Sequence, residues 1–219
     1  TSSELDMAAG KLLLIPTGHT FAPGANVTDI GGTVINGGTL ALATYTVTVT
    51  GNWTYTSGSV TATTGVVLFS PGTITITGSH TITNATFFSN ASNETVTIAG
   101  GTTLTVSGTL TFDGSSSSAG MDINTGIIDA QGAVVTDDAD HGGTATIRLV
   151  GSANRTWTGS ATLTAGTMPN VEINTSGTLT LSGTIRTDED WTYTAGTVDA
   201  SATTVIFASG GTTPTIAYS

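Results

Sequence analysis

The sequence predicts an all-β chain wound as a parallel β-solenoid, a β-helix of about ten short coils. Three observations carry this. Thr alternates with Val, Ile or Leu along many short segments, Gly punctuates those segments, and no stretch beyond Ile15 keeps a helical period long enough to specify a helix. Strict alternation places one set of side chains on a buried face and the other on a wet face, because successive side chains of a strand point to opposite sides.

Residues 1–30 hold one apolar run, Leu12-Leu13-Leu14-Ile15, expected as an N-terminal cap strand or docking segment. Residues 31–112 form a first β-repeat block. It contains Thr46-Val47-Thr48-Val49-Thr50, Thr73-Ile74-Thr75-Ile76-Thr77, Thr95-Val96-Thr97-Ile98, Thr103-Leu104-Thr105-Val106 and Thr109-Leu110-Thr111-Phe112. The apolar members should point inward and the Thr outward. Gly51, Gly58, Gly72, Gly78, Gly101 and Gly108 fall between strands, where a turn can require positive φ. Residues 113–143 are the least repetitive and most acidic stretch. They read as an irregular acidic insertion, with Asp113–Gly120 as a linker or a bulging loop on a continuous rod. Residues 144–219 form a second β-repeat block, incomplete at the C-terminus, around Thr178-Leu179-Thr180-Leu181 between Gly177 and Gly183.

Three such strands with their turns make a coil of roughly 20–25 residues. Stacked at about 4.8 Å, ten coils give a rod about 50 Å long. The alternative is a set of β-sandwich repeats, but a sandwich ordinarily uses longer strands and more aromatic residues than the 6% found here. A long internal repeat supports an array. Trp53-Thr54-Tyr55-Thr56-Ser57-Gly58 matches Trp191-Thr192-Tyr193-Thr194-Ala195-Gly196, and the register holds through Val67-Leu68-Phe69 and Val205-Ile206-Phe207.

Charge narrows the partners. The net charge is −11, with Lys11, Arg148, Arg155 and Arg186 the four basic residues. A protein that grips nucleic-acid phosphates needs a basic stripe, and an anionic membrane surface asks for the same. Neither partner is expected, and the Leu12–Ile15 run is too short to insert in a bilayer. The chain has no Cys, which removes disulfides and thiolate metal sites. It starts at Thr1, as a processed secreted protein or an excised fragment would. Seven Asn residues stand in Asn-x-Ser/Thr sequons: Asn26, Asn52, Asn84, Asn90, Asn93, Asn154 and Asn174. They are glycosylation candidates, although a Thr-rich strand pattern also creates sequons without any sugar.

Catalytic chemistry finds little support. Solenoid glycosidases and lyases need convergent carboxylates, usually with a basic partner, and no repeated spacing supplies them. His19, His80 and His141 lie far apart in unrelated surroundings. No catalytic residue and no cofactor is expected. Asp137, Asp138 and Asp140 are weak calcium candidates in a turn-like stretch whose spacing matches no EF-hand loop, and a solvated turn is the plainer reading. Asp188-Glu189-Asp190 reads as a second solvated turn. Trp53, Tyr55, Trp191 and Tyr193 either stack on sugar or, as the preferred reading, fill a repeated corner of the coil. Thr-x-Thr triplets raise ice binding as a lesser alternative, one that requires the triplets in register on every coil.

The segments Gly177–Gly183 and Gly108–Phe112, with the Asn/Asp-Trp-Thr-Tyr-Thr blocks, resemble repeat arrays of large microbial surface proteins, the filamentous-haemagglutinin-like and autotransporter-type adhesins. The resemblance implies a right-handed coil and a role in surface display, adhesion or fibre building. The expectation is therefore a secreted, cell-surface structural protein that assembles head to tail with itself through β-edge contacts. Leu12, Leu13, Leu14 and Ile15 at one end would meet Pro214, Thr215, Ile216 and Tyr218 at the other. The runner-up is a monomeric adhesin module that binds glycans or a neighbouring cell surface.

Overall fold

The computed structural model describes residues 5–6, 11–70, 72–208 and 215–218. Among them the chain forms eighteen strands and no helix. In order these are β1 (Leu5–Asp6), β2 (Leu12–Pro16), β3 (Thr20–Phe21), β4 (Val27–Ala43), β5 (Thr46–Ala62), β6 (Val66–Phe69), β7 (Thr73–Thr77), β8 (His80–Ile82) and β9 (Ala85–Ser89). Then follow β10 (Glu94–Val106), β11 (Leu110–Gly114), β12 (Met121–Ala130), β13 (Val134–Thr136), β14 (Thr146–Gly151), β15 (Arg155–Ser160), β16 (Asn170–Thr187), β17 (Trp191–Phe207) and β18 (Ile216–Tyr218). Every ladder between them is parallel, which excludes the sandwich alternative. The chain is a right-handed parallel β-solenoid of about 9 turns.

Successive partners lie about 20–25 residues apart, as a coil of this kind requires, with Val67 over Ala85 closer and Glu94 over Met121 more distant. One interior column runs Val47, Val67, Ala85, Leu110, Val134, Trp157, Leu181. Beside it Phe69, Phe87 and Phe112 stack with ring centroids 5.2 and 5.5 Å apart, a favourable offset spacing for aromatic rings. All ten residues expected inward (Val47, Val49, Ile74, Ile76, Val96, Ile98, Leu104, Val106, Leu179 and Leu181) are buried, and their flanking Thr lie half-buried or exposed.

Two features differ from expectation. Several strands are long: β4, β5, β10, β16 and β17 run through the corners of the coil instead of stopping at them. Their ladders absorb each corner as a bulge, for example between Ile35/Tyr55 and Asn36/Ser57, so hydrogen bonding continues around the bend. Gly makes this close stacking feasible. A Cβ on Gly58, whose φ is +113°, would sit 2.1 Å from the Gly38 carbonyl oxygen below it. Gly58→Ala is expected to lower the unfolding midpoint by several degrees, through both the clash and the strained φ. An unchanged midpoint would mean that this corner is free to shift.

The second difference concerns 113–143, which neither links nor interrupts. Strand β12 pairs with β10 below and β14 above, and β13 pairs with β11 and β15. Loop 115–120 is tied to the preceding coil by Ser115 N–H to the Ser89 carbonyl and Gly120 N–H to the Ala91 carbonyl. At the N-terminus β2 and β3 pair with β4 in the same parallel sense, so this segment is itself a coil of the solenoid.

Candidate functional site

The corners of the coil carry a ladder of side-chain carbonyl oxygens. Oδ1 of Asn26, Asn52, Asn84, Asn124, Asn154 and Asn170 accepts a backbone N–H from the next coil: Thr46, Thr75, Thr109, Thr144, Thr178 and Asp190 respectively, at 2.9–3.2 Å. Asp190 does the same for Thr215. A corner N–H has no strand partner, and a short amide or carboxylate reaching up from the coil below satisfies it. Four of the seven sequon Asn belong to this ladder. Asn124 and Asn170 serve it without a sequon, so the ladder needs only the Asn. Asn90 and Asn93 stand apart, exposed on a loop with Asn93 at φ +67°. Asn174 donates its Nδ2 to Glu172.

The acidic stretch divides between two neighbours. Asp137 faces the preceding coil and accepts Gly114 N–H at 2.8 Å, beside Asp113, which accepts the same N–H at 2.9 Å. Burial first, and the neighbouring Asp113 carboxyl as well, push the Asp137 carboxyl up to about 6. Asp140 faces the following coil, where its Oδ1 accepts N–H from Gly166 and Thr167 at 2.8 and 3.0 Å. Among the described residues no group of three His, Cys, Asp or Glu is arranged to hold a metal ion. Asp137 and Asp140 thus turn to different coils, each accepting backbone N–H groups. The Asp188 and Glu189 carboxyls are pushed up by burial.

Two cations have structural tasks that sequence reasoning missed. Arg148 makes a two-point ion pair to Asp129 on the coil below, at 2.7 and 3.0 Å. Arg155 is buried and donates to the carbonyls of Ala130, Val150 and Ala153, closing the 150–155 bend. A guanidinium gathering carbonyls has no sequence signature, because its partners are backbone.

The aromatic blocks fill corners, as preferred from the sequence. Trp53 is fully buried and Trp191 nearly so, which removes both indoles as sugar platforms. Trp191 stacks on Trp157 at 5.6 Å. In both copies the Tyr hydroxyl donates to the carbonyl three residues on, Tyr55 to Gly58 and Tyr193 to Gly196, and the following Thr is bulged out of the ladder. Trp53 Nε1–H donates to His80 Nε2 at 2.9 Å. His80 Nδ1 lies 2.7 Å from the Gly78 carbonyl, an acceptor only, so Nδ1 carries the proton and the ring is neutral. Burial pulls the His80 and His141 imidazoles below their ordinary value. As pH falls through about 6.5 the unfolded chain takes up protons that the folded chain refuses, and stability drops by at most about 1.4 kcal/mol per pH unit for each His. Asp137 acts with the opposite sign below about 6, where the folded state binds its proton first. His80→Gln retains a donor and an acceptor but does not titrate. It should flatten the dependence of thermal midpoint on pH between 7.5 and 6. An unaltered slope would show that His80 is not its source.

The Thr-x-Thr triplets are in register over two coils, Thr73/Thr75 beneath Thr95/Thr97, and the next coil places Asp122 and Asn124 there. At the C-terminal end, the interior of the last described coils opens as an apolar concavity of about 340 Å³, lined by Leu181, Trp191, Val205, Phe207 and Ile216 among others. Ile216 is 62% exposed and Phe207 41%. Thr215 is exposed, the Tyr218 backbone pairs with Tyr193, and Pro214 lies outside the described residues. At the opposite end Ile15 is buried and Leu13 half-buried, while Leu12 and Leu14 stand 56% and 54% exposed.

By fold the chain belongs among parallel β-solenoid proteins. No family model matches it, and neither a curated protein nor a solved structure does.

Proposed function

We propose that this chain is a non-enzymatic, extracellular structural rod that builds a surface fibre by stacking end on end. The observation that carries the reading is the apolar concavity over Leu181, Trp191, Phe207 and Ile216, shaped by the same parallel coil that repeats along the rod. A further coil laid on it buries that surface at roughly 25 cal/mol per Å² and extends the ladder. The first strands of a second copy, whose Leu13 and Ile15 face the interior of the coil, supply such a coil. The contact is head to tail, so it does not close on itself and gives a filament. Sedimentation velocity over a wide concentration range is the test. Species that lengthen with concentration are expected, and a constant monomer at millimolar protein would leave the monomeric adhesin in its place.

The sequons bear on the extracellular part of the reading. In a glycosylating secretory host, sugar is expected on Asn90 and Asn93, whose loop is exposed. It is not expected on Asn84 of the folded protein, because Nδ2 of Asn84 donates to the Gly65 carbonyl and Oδ1 accepts from Thr109. Glycopeptide mapping checks both, and a sugar-bearing Asn84 in the folded fraction would contradict the corner geometry.

A further inference from the structure

Among the described residues, the solenoid wall is broken between β5 and β8. Strand β5 pairs with β4 along its length, but on its upper edge it pairs with β6 only at Thr46–Val49 and with β7 only at Trp53 and Thr54. Strand β8 pairs upward with β10 and has no ladder to β5. The upper edge of Ser57–Ala62 and the lower edge of His80–Ile82 thus face one another without forming a sheet. Backbone N–H and C=O groups on such edges are open donors and acceptors.

The break has a local cause. Gly78, at φ +89°, packs so closely on the Tyr55 carbonyl that an added Cβ would lie 1.8 Å from its oxygen. Immediately afterwards Thr56 bulges from the ladder, and the Tyr55 ring lies against His80 at 4.6 Å and 14°, held by its hydroxyl on Gly58. The two coils touch at Gly78 and part beyond it. The resulting groove has a volume of about 530 Å³ and is walled by Tyr55, Ser59, Thr61, Thr81, Thr83 and Ser107, with the neutral His80 ring beneath.

We propose that this groove binds a neutral saccharide of about disaccharide size. Ligand sites commonly enclose about 300–1,000 Å³. Five hydroxyl side chains and two backbone edges offer donors and acceptors in the mixed, close-set pattern that sugar hydroxyls need, and Tyr55 contributes a ring. None of the groove's lining residues is Asp, Glu, Lys or Arg, in a chain whose net charge is −11, so nothing there selects an ionised ligand. An extended peptide strand is the competing occupant. It would add specificity only through pockets for alternate side chains, and this wall presents short hydroxyl side chains instead.

The site is independent of fibre formation, so it is tested on the monomeric fraction at low concentration. Cellobiose, maltose and lactose are titrated and followed by saturation-transfer NMR and by the fluorescence of the nearby Trp53. At least one should bind, and the double variant Thr81→Val, Thr83→Val should weaken it at least tenfold without moving the thermal midpoint. Thr158→Val, exposed on another wall, should leave binding unchanged. Three results would overturn the assignment: no binding of any of the three sugars, binding indifferent to the double variant, or binding of a Thr/Val-rich extended peptide in the groove in their place.

Discussion

Ile76→Asp is expected to unfold the middle of the rod. Ile76 is fully buried, with Trp53 as its ladder partner below and Ile98 above. The substitution removes a branched apolar side chain from that column and leaves a carboxylate among apolar neighbours. A cavity of this kind costs about 2–5 kcal/mol, and an unpaired buried carboxylate adds several more or stays protonated at a similar cost. In a linear array each coil leans only on its neighbours, so the loss falls on the coils of β5, β7 and β10. The expected result is loss of the cooperative thermal transition, with hydrogen exchange opening first in β7 and β10. Thr75→Asp, one residue away and half-buried toward solvent, should cost much less. Equal effects from the two substitutions would mean that the strand is in the opposite register.

The second large effect concerns assembly. Ile216→Asp puts a charge on an exposed residue at the rim of the apolar concavity, so the monomer should keep its thermal midpoint. On contact with another copy, that carboxylate must be desolvated against Phe207 and the inward-facing side chains of the opposing coil. The expected outcome is at least a hundredfold rise in the concentration needed for filaments. Ile216→Pro should act similarly by a different route, since it removes the backbone donor of the residue paired with Trp191. Leu13→Asp, on the inward face of β2, should reproduce the defect from the other end, and mixing the Ile216 and Leu13 variants should give short heterologous dimers through their intact faces. Filaments unaffected by both substitutions would place the contact elsewhere on the rod.

Period-two alternation made the inward and outward faces legible, because it depends only on neighbouring residues. The acidic middle segment hid the same pattern. Met121-Asp122-Ile123-Asn124 alternates as faithfully as the Thr blocks, with Met121 and Ile123 buried, but its outward partners are acid and amide. Reading Thr as the mark of a strand turned a coil into an insertion. Longer-range features were out of reach. Asn154 braces Thr178 and Trp53 bonds to His80 across a full coil, and only the stacking register brings them together. The Asn ladder left one trace in the sequence, the sequons at Asn26, Asn52, Asn84 and Asn154, which read as glycosylation candidates instead. The groove beside Tyr55 has no local signature, since it arises where two coils fail to pair.

The parallel ladders also decide how such a rod answers to force. Its strands lie across the long axis, so the backbone hydrogen bonds between coils run along it. Tension applied at the two ends therefore loads the ladders one after another and peels a coil at a time, in contrast to a sheet pulled along its strands, which must shear many bonds together. Each coil released trades about 4.8 Å of rod for roughly 70 Å of extended chain. A fibre of these rods would lengthen in discrete steps under load, dissipating work coil by coil while the remaining stack holds.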